Sequence, residues 1–385
     1  MPSACGGWSR PLVASRRALG AFLALGLAAV LAACRTLAPP DPARIGPLAA
    51  DAGELLLVGF RGTEPAGNED LDHLLCEAKV GGIILFAHNI VDHDQIARLT
   101  RAADERALAC TGRRLLVAID AEGGSVMRLG PKVGYTPTLS AEELGQRNDL
   151  VLTELEARRI GTMLREAGIR WNLAPVVDVG FNPANPVIVG RNRSYGDNAA
   201  MVIDHARAFI RGMHEAGVVT TLKHFPGHGS SFTDSHKGFV DVTDTANLDV
   251  ELKPYRVLMA EQMVDTVMTA HVFNRSLDRR RPATLSRPTI DGLLRGELGW
   301  RGVVVSDDMR MGAIEQHYGL DDATILTLAA GVDVVLIAAD HLPDGRSAST
   351  EALAAIRTAL ARGRLDPARI ESALARIRQL KSRMR

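Results

Sequence analysis

A (β/α)8 barrel, of the TIM type, is the fold this sequence predicts, on three observations. Eight short, β-rich apolar runs recur between residues 55 and 338, stretches of helical period separate them, and acids and histidines follow several of the run ends. The runs are 55–60 (LLLVGF), 83–86 (IILF), 115–120 (LLVAID), 171–179 (WNLAPVVDV), 219–224 (VTTLKH), 266–272 (TVMTAHV), 302–307 (GVVVSD) and 333–338 (DVVLIA). Most are unbroken rather than alternating, as strands covered on both faces must be. Between them lie amphipathic segments such as LTELEARRIGTMLREAG and NAAMVIDHARAFIRGMHEAG. In the second, Met201, His205, Phe209 and Met213 recur every fourth residue and read as a core-facing stripe. Helices around 350–362 and 366–383 close the barrel, and no second domain is expected after Ala338. A doubly wound sheet is the rival fold. It would carry a glycine-rich phosphate loop after its first strand, whereas RGTEPAGNED follows Phe60.

Composition narrows the function. Of 385 residues, 45 are Lys or Arg and 45 are Asp or Glu, so the formal net charge is zero and no basic stripe is available for nucleic acid. A 46% hydrophobic content excludes a disordered chain. Aromatics make up only 4%, too few for an extended stacking surface along a long polysaccharide.

The first 33 residues read as an export signal. Arg10, Arg16 and Arg17 precede the uncharged run 18–33, ALGAFLALGLAAVLAA. A bilayer-spanning helix needs roughly 20 apolar residues, so a basic flank, a short apolar core and small residues at its end fit a cleaved signal better. The run ends in Leu31-Ala32-Ala33-Cys34, which resembles the lipobox of bacterial lipoproteins and makes Cys34 the lipidation site. The expected organisation is a signal over 1–33, a Pro-rich tether over 34–50 and the barrel over 51–385. Cys76 and Cys110 remain in the barrel; pairing and two buried free thiols are both open from spacing alone.

Barrel enzymes place their chemistry at the C-terminal ends of the strands. Here Asp120-Ala121-Glu122-Gly123-Gly124 ends the third run, Lys223-His224-Phe225-Pro226-Gly227-His228-Gly229 the fifth, Ala270-His271 the sixth and Ser306-Asp307-Asp308 the seventh. No nucleophile elbow and no P-loop is present. A carboxylate facing a proton donor across a pocket is the minimum for glycoside hydrolysis. A zinc hydrolase competes, with His224 and His228 four apart and Asp234 and His236 near. Pro226-Gly227, however, breaks any helix that would align the first two.

These motifs resemble glycoside hydrolase family 3, and within it the single-barrel β-N-acetylglucosaminidase branch. The resemblance rests on GGIILFAHNI (81–90), the Asp-x-Glu-Gly-Gly-x-Val-x-Arg run (120–128), NPVIVGRNRSYG (185–196), KHFPGHG with Asp234-Ser235-His236, and ELGWRGVVVSDDM (297–309). It implies a retaining exo-β-N-acetylglucosaminidase that works without metal or organic cofactor. Asp307 would be the nucleophile, His236 the general acid/base, and Asp234 its orienting carboxylate. Asp120, Arg128, Arg193, Lys223 and His224 would hold the hydroxyls of the terminal sugar. Substrates would be small N-acetylglucosaminides, from peptidoglycan fragments or chitin-type oligosaccharides. The protein would be a monomer in the cell envelope, in the periplasm, touching a membrane only through its lipid.

Physical chemistry fits these roles. Lys223 and Arg193 are expected to keep Asp307 ionised, and a carboxylate beside His236 would favour its protonated form and fix its tautomer. The segment 227–237 has little to bury and is expected to move. Glu122 reads as half of a structural ion pair, and Asp178, Asp308 and His271 as braces of strand-end loops. His228 would brace its own loop, Arg191 competes weakly with Arg193, and His88 is given no role. Ala121 stands where the family has Gln. A β-glucosidase, a phosphorylase of the same family, and a non-catalytic sugar-binding lipoprotein are the alternatives.

Overall fold

The computed structural model describes residues 41–384. The signal read over 1–33, the lipidation site Cys34 and the first part of the tether lie outside the described residues. Eight parallel strands form the framework: β1 Leu56–Gly59, β2 Gly82–Leu85, β3 Leu116–Ile119, β4 Trp171–Asn172, β5 Thr221–Phe225, β6 Thr266–Thr269, β7 Val303–Val305 and β8 Val335–Ile337. β8 pairs with β1, β1 with β2, β2 with β3 and β3 with β4. β5 pairs with β6 and β6 with β7. Parallel bridges Trp171–Val219, Val176–Lys223 and Val305–Val334 join the two halves at both seams. The ring therefore closes, and the barrel is the one the eight runs predict.

Helices return the chain between strands. They are α1 His73–Ala78, α2 His93–Thr111, α3 Leu150–Glu166, α4 Ala199–Glu215, α5 Lys253–Ala260, α6 Pro288–Glu297, α7 Leu320–Ala330, α8 Ala348–Ala361 and α9 Pro367–Arg383. Their starts are legible: Asp92, Asp149, Asn198, Ser347 and Asp366 cap α2, α3, α4, α8 and α9 with side-chain oxygens. On α4, His205, Phe209 and Met213 are fully buried, as the stripe requires, while Met201 at its start is only half-buried.

The fourth run is shorter than expected. Only Trp171–Asn172 makes regular pairs, because Pro175 has no N–H to donate to a ladder. Trp171 instead fills the barrel interior, its indole N–H donating to Thr221 Oγ1 at 2.9 Å and Thr266 Oγ1 at 3.2 Å. This gives the buried Thr221 and Thr266 hydroxyls a partner inside the barrel.

Tether is the wrong description for the residues just before the barrel. Pro42–Ala50 is a helix, since Asp41 caps the Ala43 N–H and Pro42 sits in the first turn, where its missing N–H costs nothing. Arg44 ties it to Glu371 of α9 at 2.7 Å.

α9 crosses the N-terminal end of the barrel. Arg376 pairs with Asp333 just before β8 at 2.7 Å, Arg378 with Glu54 just before β1 at 2.7 Å, and Arg383 with Asp265 just before β6. Asp333 is fully buried and also accepts from Arg295. Removing one partner of such a buried pair costs about 3–5 kcal/mol. Charge at this end is thus committed to stability, which leaves the C-terminal ends of the strands for chemistry. Cys76 on α1 and Cys110 on α2 form a disulfide, with Cα atoms 5.1 Å apart.

Candidate active site

The strands deliver their polar residues to one end. Asp120 follows β3, Lys223 and His224 lie in β5, His271 follows β6, and Asp307 and Asp308 follow β7. Asp178 comes from the segment after β4, which bridges to β5 at Val176.

Asp120, Glu122, Arg128, Arg193 and Lys223 form a charged cluster. Lys223 is almost fully buried, and its Nζ lies 2.9 Å from Asp120 and 2.6 Å from Glu122. Arg193 grips Glu122 with two hydrogen bonds, of 2.8 and 2.7 Å. Arg128 donates to the other oxygen of Asp120 at 3.1 Å. Burial would raise both acids, but Arg193 and Lys223 bring Glu122 down to about 2, and Lys223 and Arg128 hold Asp120 below the usual range. Burial would in turn lower Lys223, yet Asp120 and Glu122 keep it above its ordinary value. Both acids stay ionised and the cations stay charged. Such fixed groups can donate to and accept from sugar hydroxyls without reorganising. Glu122 is consumed in an ion pair, as its place in the sequence suggested.

His224 joins this cluster to the next strand. Its Nδ1 donates to Asp178 at 2.6 Å, while its Nε2 faces Arg193 at 3.4 Å. Asp178 also accepts the backbone N–H groups of His224 at 3.2 Å and His228 at 2.8 Å. Burial opposes its charge, but His224 and these bonds keep it below the ordinary carboxylate range.

Asp307 has a different environment from the one expected. Lys223 and Arg193 are spent on Asp120 and Glu122. Among the described residues Asp307 has no salt bridge; it accepts the Asp308 backbone N–H at 2.8 Å. Burial would raise its carboxyl, but His224, His271 and that N–H hold it below the usual range. Burial pushes His271 itself down, and of the two imidazoles His224 is the larger influence on Asp307. The result is an ionised carboxylate with open valence, which is what attack on an electrophilic carbon needs.

Neighbouring groups are structural, as read. Asp308 accepts from the Ala338 and Arg310 backbones at 2.9 and 3.1 Å, and burial pushes it up to about 6. His271 spans Thr284 and the Asp308 carbonyl. His88 is bonded to the Phe60 carbonyl and stacks on Phe86. Arg191 is exposed and takes no part in the cluster.

The loop after β5 corrects one expectation. Residues 227–231 and Ser235 are buried rather than loose. Asn182 donates to the carbonyls of Ser230 and Ser231, and Asn185 to those of His228 and Gly229. His228 bonds Ser231 Oγ at 2.7 Å and Ser235 Oγ at 3.0 Å, and burial pushes it down to about 4, so it is neutral at ordinary pH. Gly227, at φ +143°, passes so close to Glu251 that a Cβ would sit 2.6 Å from its side chain. The backbone N–H groups of Gly312 and Ala313, just after β7, hold the carbonyls of His236 and Ser235. Only the tip is free. There the His236 side chain is 60% exposed, and its Nδ1 and backbone N–H lie 2.7 and 3.0 Å from Asp234 Oδ1. Asp234 is held below the usual carboxylate range against a desolvation cost, by those two bonds. It fixes the His236 tautomer with Nε2 facing outward.

All eight residues singled out for substrate or chemistry therefore lie at the same end of the barrel, on its strand ends and the loops that follow them. A cavity of about 890 Å³ lies at the other end beside Arg113, Arg170 and Lys381 and touches none of them. No group of three or more His, Cys, Asp or Glu among the described residues could hold a metal ion. Of the two asparagines that cradle the loop, Asn182 went unnoticed in the sequence and Asn185 stood there only as the first residue of the 185–196 motif, with no role; their repeat as Asn-Pro-Ala-Asn-Pro was the available sign.

Comparison with known proteins adds three findings. Residues 48–380 match the family described as Glycosyl hydrolase family 3 N terminal domain. A curated Beta-hexosaminidase A of Pseudoalteromonas piscicida is 34% identical over 366 residues, covering 86% of this chain but 60% of that protein; a Beta-hexosaminidase of Xylella fastidiosa is 35% identical, covering 78% and 90%. Among solved structures, a glycoside hydrolase family 3 beta-N-acetylglucosaminidase from Paenibacillus superposes with a TM-score of 0.82 at 39% identity, covering 88% of this chain and 62% of that one. A Beta-N-acetylhexosaminidase from Beutenbergia cavernae gives 0.78 at 30%, covering 87% and 98%. This chain thus spans about three-fifths of the first relative and nearly all of others.

Proposed function

Because the chain belongs to glycosyl hydrolase family 3, we propose that it is a retaining exo-β-N-acetylglucosaminidase. The observation that carries the reading is the presence of two groups at one barrel end: an ionised Asp307 with no salt bridge among the described residues, and an exposed His236 held by Asp234. Asp307 attacks the anomeric carbon. The bond to the leaving oxygen breaks as His236 gives that oxygen a proton, leaving a covalent glycosyl-enzyme. His236 then takes a proton from water, whose oxygen displaces Asp307. Asp120, Arg128, Arg193, Lys223 and His224 hold the terminal sugar. The names of the relatives support N-acetylglucosamine as that sugar.

A panel of aryl β-glycosides tests this reading. The N-acetylglucosaminide should be turned over fastest, with β-configured sugar released first and phosphate leaving the product unchanged. Faster turnover of the glucoside, or a sugar phosphate as product, would contradict it.

The setting we propose is the cell envelope, with Cys34 lipidated and peptidoglycan fragments as substrate. Residues 18–34 support it, and so does the Cys76–Cys110 disulfide, since such bonds persist in oxidising compartments. Cys34→Ser should abolish incorporation of labelled palmitate and release the protein from the membrane fraction. Unlipidated wild-type protein in the cytosol would refute the anchor.

A further inference from the structure

A glycosidase acid must reach the oxygen that joins the terminal sugar to its leaving group, so the leaving group lies beside the acid. The residues that flank His236 on its loop are therefore the first to search for contacts to the leaving group. Two of them are conspicuous. Phe232, four positions before His236, is 62% exposed, and Phe239, three positions after it, is 48% exposed. They are the only exposed phenylalanines among the described residues. Phe239 has partners, lying 5.4 Å from the Phe273 ring and 5.8 Å from the His317 ring. Phe232 has no aromatic partner among the described residues.

The backbone around Phe232 is fixed all the same. Ser231 and Ser235 are buried to 1% or less, and His228 bonds the hydroxyls of both. Ala313 holds the Ser235 carbonyl from the far side. A loop anchored this firmly has no need of an outward phenylalanine, because an exposed ring buries little apolar area in the folded state. What the anchoring does achieve is a fixed backbone for one exposed aromatic ring on the same loop as the acid.

We propose that Phe232 is a specificity residue for the leaving group, a platform on which the C–H face of a single pyranose stacks. The inference rests on the glycosidase reading above and adds to it the residue that recognises the leaving group as a sugar ring rather than an alkyl chain or a peptide. One isolated ring, with exposed Thr233 and Lys237 nearby, matches the one apolar face and polar rim of a pyranose. An alkyl leaving group would need a groove of apolar side chains. The low aromatic content fits as well, since it leaves room for one stacking position rather than a track.

The test compares two substrates on the full chain. Diacetylchitobiose has a sugar as leaving group; β-N-acetylglucosaminyl azide has none, and nothing to stack. Phe232→Ala should lower the ratio of kcat/KM for chitobiose over azide about tenfold, which corresponds to ~1.4 kcal/mol. Phe232→Tyr, which keeps the ring, should hold the ratio near the wild-type value. A ratio unchanged in the alanine variant overturns the platform, and so does an equal fall in the tyrosine variant. Wild-type protein that turns over neither substrate overturns the glycosidase reading and this inference with it.

Discussion

Asp307→Ala should lower kcat for an aryl N-acetylglucosaminide by about 10⁴-fold or more, because the covalent route disappears with the carboxylate. The protein should stay folded. Asp307 has no salt bridge among the described residues, and its hydrogen bond is to the adjacent backbone. Added azide should restore part of the turnover and give the α-glycosyl azide, since a small anion can enter where the carboxylate was. Asp308 provides the contrast. Its Oδ1 accepts both the Ala338 and the Arg310 backbone N–H, so Asp308→Ala should lower the unfolding midpoint and show no azide rescue. Kinetics with and without azide, with circular dichroism as the fold check, decide between the two.

His236→Ala should separate substrates by their leaving groups. General acid catalysis contributes typically about 10²–10⁴-fold, and only where the leaving oxygen needs a proton. Turnover of diacetylchitobiose should fall by that much, while a dinitrophenyl glycoside, whose leaving group departs as an anion, should lose far less in its first step. Asp234→Ala should show the same pattern in weaker form, because it acts through His236. Equal losses on both substrates in His236→Ala would make His236 a binding group and send the search for the proton donor elsewhere.

Much of the barrel was legible because each strand is a dense apolar run, and burial on both faces leaves that pattern little freedom. Where the pattern misled, local chemistry had overridden it. Pro175 cut the fourth strand short, and the prolines before the barrel, read as a tether, open a helix at Pro42 once Asp41 caps it. Site residues stood out through their placement after strand ends. Their partners did not, because pairing is a matter of geometry. Lys223 and Arg193 carry charge that suits Asp307 equally well on paper, but the turn after β3 brings Glu122 and Asp120 to them first. The loop bearing His236 looked loose because Gly, Ser and Thr bury little area of their own. Its firmness comes from hydrogen bonds to Asn182, Asn185 and His228, and two of those anchors sit more than forty residues away.

One measurement addresses the central assignment most directly. A fluorinated N-acetylglucosaminyl fluoride that forms the glycosyl-enzyme quickly and releases it slowly should be incubated with the protein, which is then digested and mapped by mass spectrometry. The account predicts a single sugar adduct on the peptide containing Ser306-Asp307-Asp308, located by fragmentation at Asp307. An adduct on Glu122 or Asp308, or release of an oxazoline formed by the sugar's own acetamide with no adduct on the protein, would contradict it.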